Sequence, residues 1–139
     1  MSNASHFSMT PVAYVHSELK KRKNAPRQGY LGAPEAWLKV LPKYKKCLHR
    51  VVAGDEVILI AWLHEAKRNV MEVHPGSDKN NPLTGVFGTR SPDRPNPLGL
   101  HRVTILETKG LLLRVGPLEA IDGTPVVDIK TVLTKSCDS

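Results

Sequence analysis

Short alternations of apolar and polar residues recur along this chain, separated by turn-forming residues. After Pro11, Val12, Tyr14 and His16 alternate with Ala13 and Val15. Val103 and Ile105 alternate with Arg102 and Thr104, and Val127 and Ile129 with Asp128 and Lys130. A period of two sends successive side chains to opposite faces, so each run reads as a strand. Leu111, Leu113 and Val115 follow Lys109-Gly110, the spacing of a hairpin with the strand before them. The uninterrupted run Val57-Ile-Leu-Ile-Ala-Trp-Leu63 reads as a strand buried on both faces or set in a barrel wall, and Gly85 to Thr89 as a short strand. Helical signal is confined to Pro42 to Val51 and Ala33 to Leu38. Most of the 11 prolines and 10 glycines fall between these runs, which predicts a mainly β fold, an antiparallel barrel or sandwich. From Glu72 to Thr84 the chain is polar and turn-rich, the pattern of a mobile surface loop. No internal repeat or low-complexity stretch interrupts the pattern.

Length adds that there is one domain: 139 residues bury a sizeable core without covalent staples. Met1 to Ser8 read as a tag remnant or disordered start, 9–133 as the domain, and 134–139 as a tail. Lys and Arg outnumber Asp and Glu by 20 to 13, a net charge of +7, which favours a polyanion or an anionic cofactor as partner. Cys47 and Cys137 are too few and too far apart for a disulfide framework or a zinc site, and no other spacing resembles a metal centre. No apolar run approaches a membrane span, so a cytoplasmic protein is expected. A glycine-rich phosphate loop and the serine and cysteine nucleophile signatures are missing.

Four places could carry chemistry. Pro92, Pro95 and Pro97 fix a loop that presents Arg90, Ser91, Arg94 and Asn96 at low entropic cost; it is otherwise a rigid connection with solvated arginines. Asp122-Gly123 is a turn pair, and Asp128 and Lys130 share one face of the next strand. A carboxylate there would accept from a ribose hydroxyl or an amine, the plainer reading being a turn and a surface ion pair. Asn24 to Gly29 is a polar loop preceded by the basic run Lys20 to Lys23, which would track phosphates or simply be solvated. His64 and Glu65 follow the apolar strand, where a histidine serves a site or is satisfied structurally.

Taken together, Pro26-Arg-Gln28, His64, Gly85-Val-Phe-Gly-Thr-Arg-Ser-Pro-Asp-Arg-Pro-Asn-Pro-Leu-Gly99 and Asp122-Gly-Thr-Pro-Val-Val-Asp-Ile-Lys130 resemble the TsaA-like family. This family includes the TrmO-type tRNA methyltransferases. The resemblance runs from about Pro11 to Lys130 and implies a small single-sheeted antiparallel β-barrel with short helical segments. It further implies S-adenosyl-L-methionine as cofactor, a homodimer with sites near the subunit interface, and tRNA as partner, methylated at N6 of threonylcarbamoyl-adenosine beside the anticodon. It implies no metal and no membrane.

Position by position, the resemblance assigns the cofactor to Pro26, Arg27, Gln28, His64, Glu65, Arg90, Leu100, Asp122, Gly123, Thr124 and Pro125. Arg94, Asn96 and Lys130 fall around the acceptor or in loop support, and Asn96, Asp128 and Lys130 are the candidates for catalysis. Three departures stand out: Lys130-Thr131-Val132 replaces the usual lysine-proline-tyrosine, Glu119 takes the acidic place ahead of the Asp-Gly turn, and Glu65 replaces a glutamine. The alternatives are a same-fold methyltransferase with a small-molecule or other acceptor, and a module that binds S-adenosyl-L-methionine without catalysis.

Overall fold

The computed structural model describes residues 5–25 and 32–133. Inward positions of the strands are filled mostly by Val, Ile, Leu and Ala, and six strands close around them: β1 (Ala13–His16), β2 (Ala36–Val40), β3 (Glu56–Trp62), β6 (Leu98–Lys109), β7 (Leu112–Gly116) and β8 (Pro125–Thr131). Neighbours run β1-β2-β7-β6-β3-β8 and back to β1, all antiparallel. Closure leaves no free edge and encloses a packed interior of Val15, Leu38, Leu59, Ile105, Leu113 and Val126 among others. A separate pair, β4 (Glu72–Val73) and β5 (Thr84–Gly85), forms an arm between β3 and β6. Among the described residues no helix is long and apolar enough to cross a membrane.

The barrel and the strands at 13–16, 98–109, 112–116 and 125–131 agree with the alternation in the sequence. The Val57 run is barrel wall: Val57, Leu59 and Ala61 face in, while Ile58, Ile60 and Trp62 stay half-buried outside. At β8, Ile60 opposes Asp128 and Ala61 opposes Val126, so Val127 is a bulge. The bulge turns Val126, not Val127, into the core.

Four local expectations are corrected or refined. Ala33 to Leu38 is not helical: Ala36, Leu38 and Val40 are buried at every second position, and the strand they form fills the gap between β1 and β7. Pro42 to Val51 yields a 3-10 segment over Pro42–Leu48 with non-helical Tyr44 at its centre and no fully buried residue. So short a segment, with only Tyr44 and Leu48 packed part-buried on the core, gains too little to offset the nucleation cost of an α-helix. Only the first residue of Gly85 to Thr89 is strand, since Val86–Gly88 forms a 3-10 turn. The expected loop from Glu72 to Thr84 pairs its own ends as β4 and β5.

Strand direction divides the loops between two ends. Residues 17–25, 63–97 and 117–124 gather at one end, where β1 leaves and β8 enters. Residues 41–55 and the Gly110-Leu111 turn gather at the other.

Candidate functional site

The loop-rich end is organised around Asp122. An Asp-Gly pair favours a tight turn, and Gly123 takes φ +83°, a conformation that a Cβ would strain. Every backbone N–H of the turn is used within the fold. Asp122 N–H donates to Leu19 O (2.6 Å), Gly123 N–H to Val15 O (2.7 Å) and Thr124 N–H to Ile121 O (3.2 Å). The Asp122 carboxylate accepts from Ser17 N–H at 3.0 Å and pairs with Lys20 Nζ at 3.2 Å. Those two contacts, the amide first, hold its carboxyl below the usual aspartate range. The Asp122 and Gly123 carbonyls have no partner among the described residues. This turn therefore offers a ligand acceptors only, suited to hydroxyls, amines or a cation.

The facing loop offers donors. Arg94 clamps it from within: its guanidinium donates to Val86 O and, at 3.2 Å, to Thr89 O, while Thr89 Oγ1 donates back to Val86 O at 3.0 Å. The turn so held buries Val86 and leaves Phe87 almost fully exposed. Arg90, also exposed, has no partner among the described residues, so its guanidinium is free. Asp93 ties the loop to two other segments, accepting from Lys67 N–H at 2.8 Å and pairing with Arg22 at 2.9 Å. Burial alone would raise the Asp93 carboxyl, but Arg22 and the Lys67 amide outweigh it and lower it. Arg68 binds the loop's far side through Pro95 O (2.7 Å) and Asn96 Oδ1 (2.9 Å) while lying 5.1 Å over the Trp62 ring. Arg22 and Lys20 sit on one short segment, so the proline-rich loop and the Asp122 turn are joined through it.

Below these loops the outer wall carries a row of paired positions. Leu100 and Asp128 are the register partners of Ile60 on either side, and Leu98 opposes Trp62. Leu98 and Leu100 remain exposed. Inside the wall, buried His101 donates from Nδ1 to Glu119, and its Nε2 has no partner among the described residues. Gly99 makes room for that ring, since a Cβ there would stand 2.6 Å from Nε2.

Measured against the sequence-derived residues, this geometry sorts them. Asp122, Gly123 and Arg90 present acceptors and a donor at one end of the barrel, and Leu100 lies on the wall beneath. Pro26, Arg27 and Gln28 lie outside the described residues. His64 and Glu65 are exposed at the end of β3, 3.9 Å apart. Thr124 does not offer its hydroxyl: the side chain is buried and donates to Ile121 O at 2.7 Å, a lock on the turn, and Pro125 begins β8 behind it. Arg94 acts in loop support, the second of its two expected places, with two backbone carbonyls occupying its guanidinium. Asn96 serves Arg68 through its oxygen and keeps its amide N–H₂ unused among the described residues. Lys130 pairs with Asp128 at 3.3 Å on the exposed wall, the plainer of the two readings of that segment. Arg68 and the His101–Glu119 pair were missed, since each acts through a partner 18 to 28 residues away that no local pattern marks.

The family model described as the tRNA-methyltransferase O N-terminal domain matches residues 14–139. The chain belongs to the tRNA-methyltransferase O N-terminal domain family. Within it, the chain is 38% identical over 122 residues to an S-adenosyl-L-methionine-binding protein of Archaeoglobus fulgidus, covering 88% of this chain and 86% of the relative. It is 32% identical over 140 residues to the tRNA (adenine(37)-N6)-methyltransferase of Escherichia coli, covering 93% of this chain and 59% of that protein. A crystal structure of TrmO from Pseudomonas aeruginosa superposes with a TM-score of 0.76 at 26% identity, over 97% of this chain and 60% of that one. The chain thus spans about three-fifths of those two bacterial proteins and most of the archaeal one. The match to TrmO structures is to the same barrel.

Proposed function

We propose that this barrel is an S-adenosyl-L-methionine-dependent methyltransferase acting on tRNA, at N6 of the threonylcarbamoyl-adenosine next to the anticodon. The observation that carries the reading is the family match over residues 14–139, reinforced by a tRNA adenine N6-methyltransferase among the relatives. The site is compatible with it in donor and acceptor type. A methionine moiety ends in a carboxylate, which suits the free guanidinium of Arg90; its ammonium and the ribose hydroxyls are donors, which suit the acceptor-only Asp122-Gly123 turn. When bound, S-adenosyl-L-methionine supplies a methyl group on a cationic sulfur, ready for in-line displacement.

The protein's own part is positioning. Two reactants held about 3–3.5 Å apart gain much of the rate without a covalent or metal step. Arg94, Asp93 and Arg68 fix the proline-rich loop before any ligand arrives, so little ordering remains to oppose binding. His64, Glu65 and the Pro26 to Gln28 loop complete the cofactor's surroundings on this reading. The acceptor lies against the wall row where Asp128 flanks Ile60, with the Asn96 amide and Lys130 at its margins. A modified anticodon-loop base is unpaired and is read by stacking and edge hydrogen bonds. We place the protein in the cytoplasm with its tRNA, as a homodimer that covers the exposed Leu98 and Leu100.

One observation favours a second reading, binding without transfer: the Archaeoglobus relative, matched over most of its length, is named for binding alone. Incubation with methyl-labelled cofactor and tRNA carrying the unmethylated nucleoside separates them. Nucleoside mass spectrometry should find one added methyl group on threonylcarbamoyl-adenosine. Tight cofactor binding with no label in any tRNA nucleoside would leave the second reading.

A further inference from the structure

Several cations elsewhere on the barrel are engaged, although Lys21, Lys79 and Arg90, on three separate segments, make no ion pair among the described residues. On the wall Arg102 pairs with Glu56, Arg114 with Glu35 and Glu107, and Lys130 with Asp128; at the loop-rich end Lys20 and Arg22 pair with Asp122 and Asp93. The opposite end differs. Lys39, Lys43, Lys45, Lys46, Arg50 and Lys109 are all exposed there, and among the described residues none makes an ion pair. They form one surface: Lys39 and Lys109 both register against Leu112, and Lys45 and Lys46 line an open cleft of about 660 Å³ with Leu48, His49 and Gly110. The nearby carboxylates have other duties, Asp55 accepting from Val52 N–H while Glu56 and Glu107 hold the wall arginines. Six unneutralised cations around a cleft repel one another, and a polyanion relieves that repulsion.

From this we infer that the end of the barrel opposite the loops is a second RNA-contacting surface, taking the phosphodiester backbone of a helical arm. The inference rests on the tRNA reading and adds where the rest of the molecule lies. β6 runs from the loop-rich end at Leu98 to this surface at Lys109, eleven residue steps or about 36 Å if fully extended. A nucleoside or an anticodon loop cannot bridge that span. The anticodon stem continued by the helical arm stacked on it bridges it along the wall, with the unpaired loop at the Arg90–Asp122 end; the isolated stem–loop is too short to reach. The contact is electrostatic and carries no sequence preference, as phosphate contacts do.

The test compares the parent with a Lys45→Ala/Lys46→Ala/Lys109→Ala variant and with the same three positions changed to Arg, on whole tRNA and on the isolated anticodon stem–loop. Each lost phosphate contact removes about 0.7–0.9 from the log–log slope of affinity against salt, so the alanine variant should lose about two to three units on whole tRNA. Its KM for whole tRNA should rise at least tenfold with kcat retained, its KM for the stem–loop should not change, and the arginine variant should behave as the parent. Cofactor affinity, read by calorimetry, should be the same in all three. An unchanged slope on whole tRNA, or an equal loss on the stem–loop, overturns the remote contact. Loss of binding to anionic vesicles with tRNA binding intact would assign the surface to a membrane and equally overturn it. A parent that neither binds nor methylates tRNA overturns the functional reading itself, and this inference with it.

Discussion

At the loop-rich end of the barrel, Lys20 and Arg22 each hold a carboxylate and Arg94 fills two backbone carbonyls. At the other end Lys43, Lys45, Lys46 and Arg50 hold no carboxylate among the described residues. The side-chain types are the same, and the surroundings set their roles. Charges locked by hydrogen bonds shape a small, preorganised site in which Arg90 is the one uncommitted guanidinium among the described residues. Charges left unpaired and solvated shape nothing locally and act on any large polyanion within a Debye length. A basic run in the sequence therefore says little until its partners are known: Lys20 to Lys23 read as a phosphate track or a solvated flank, and Arg22 is a strut to Asp93.

The sharpest break of this contrast is Arg94→Ala. The change leaves Val86 and Thr89 carbonyls without their donor in a partly buried turn, and each charged hydrogen bond of this kind is worth about 1.5–3 kcal/mol. A loss of about 2–3 kcal/mol in urea unfolding is expected, with cofactor affinity falling because Arg90 rides on that loop. Gly99→Ala comes next. Its Cβ would meet His101 Nε2 at 2.6 Å, with the ring held by Glu119, so about 1–3 kcal/mol of overpacking cost is expected in thermal melts. Adding His101→Ala should recover part of that loss, a non-additivity that a double-mutant cycle reads directly.

Asp93→Asn weakens the Arg22 strut by about 1 kcal/mol at neutral pH. Because the folded carboxyl lies below its ordinary 3.8, this stability is present above about pH 4 and is lost as pH falls through the folded value. The gap between parent and variant should close in acid. The smallest effect belongs to the far end, where Lys45→Ala should leave stability within about 0.5 kcal/mol.

Alternation made most of the barrel legible in the sequence, because a strand with one face on a packed interior must repeat every second residue. The pattern failed where geometry broke the period. Val127 bulges, so Val126 takes the core position before it, while Ile129 keeps the expected phase opposite Leu59. β2 is only Ala36–Val40, too short to declare itself against a helical reading, and its identity comes from the strands on either side. At the site, chemistry-bearing loops were legible through proline and turn residues, which act locally. The roles of Arg94, Thr124 and Arg22 were not, since what each side chain touches depends on contacts made across the fold. The cofactor and acceptor assignments came from the motif's likeness to a family.

The central claim is that the end of the barrel bearing Arg90 and Asp122 is built for S-adenosyl-L-methionine. Calorimetric titration of the parent and of Arg90→Ala with that compound tests it most directly. The expected result is one site per chain in the parent and a ten- to hundredfold weaker one in the variant, about 1.5–3 kcal/mol, at unchanged melting temperature. No binding heat or thermal shift in the parent at millimolar ligand would contradict the claim, and equal affinity in the variant would take Arg90 out of the site.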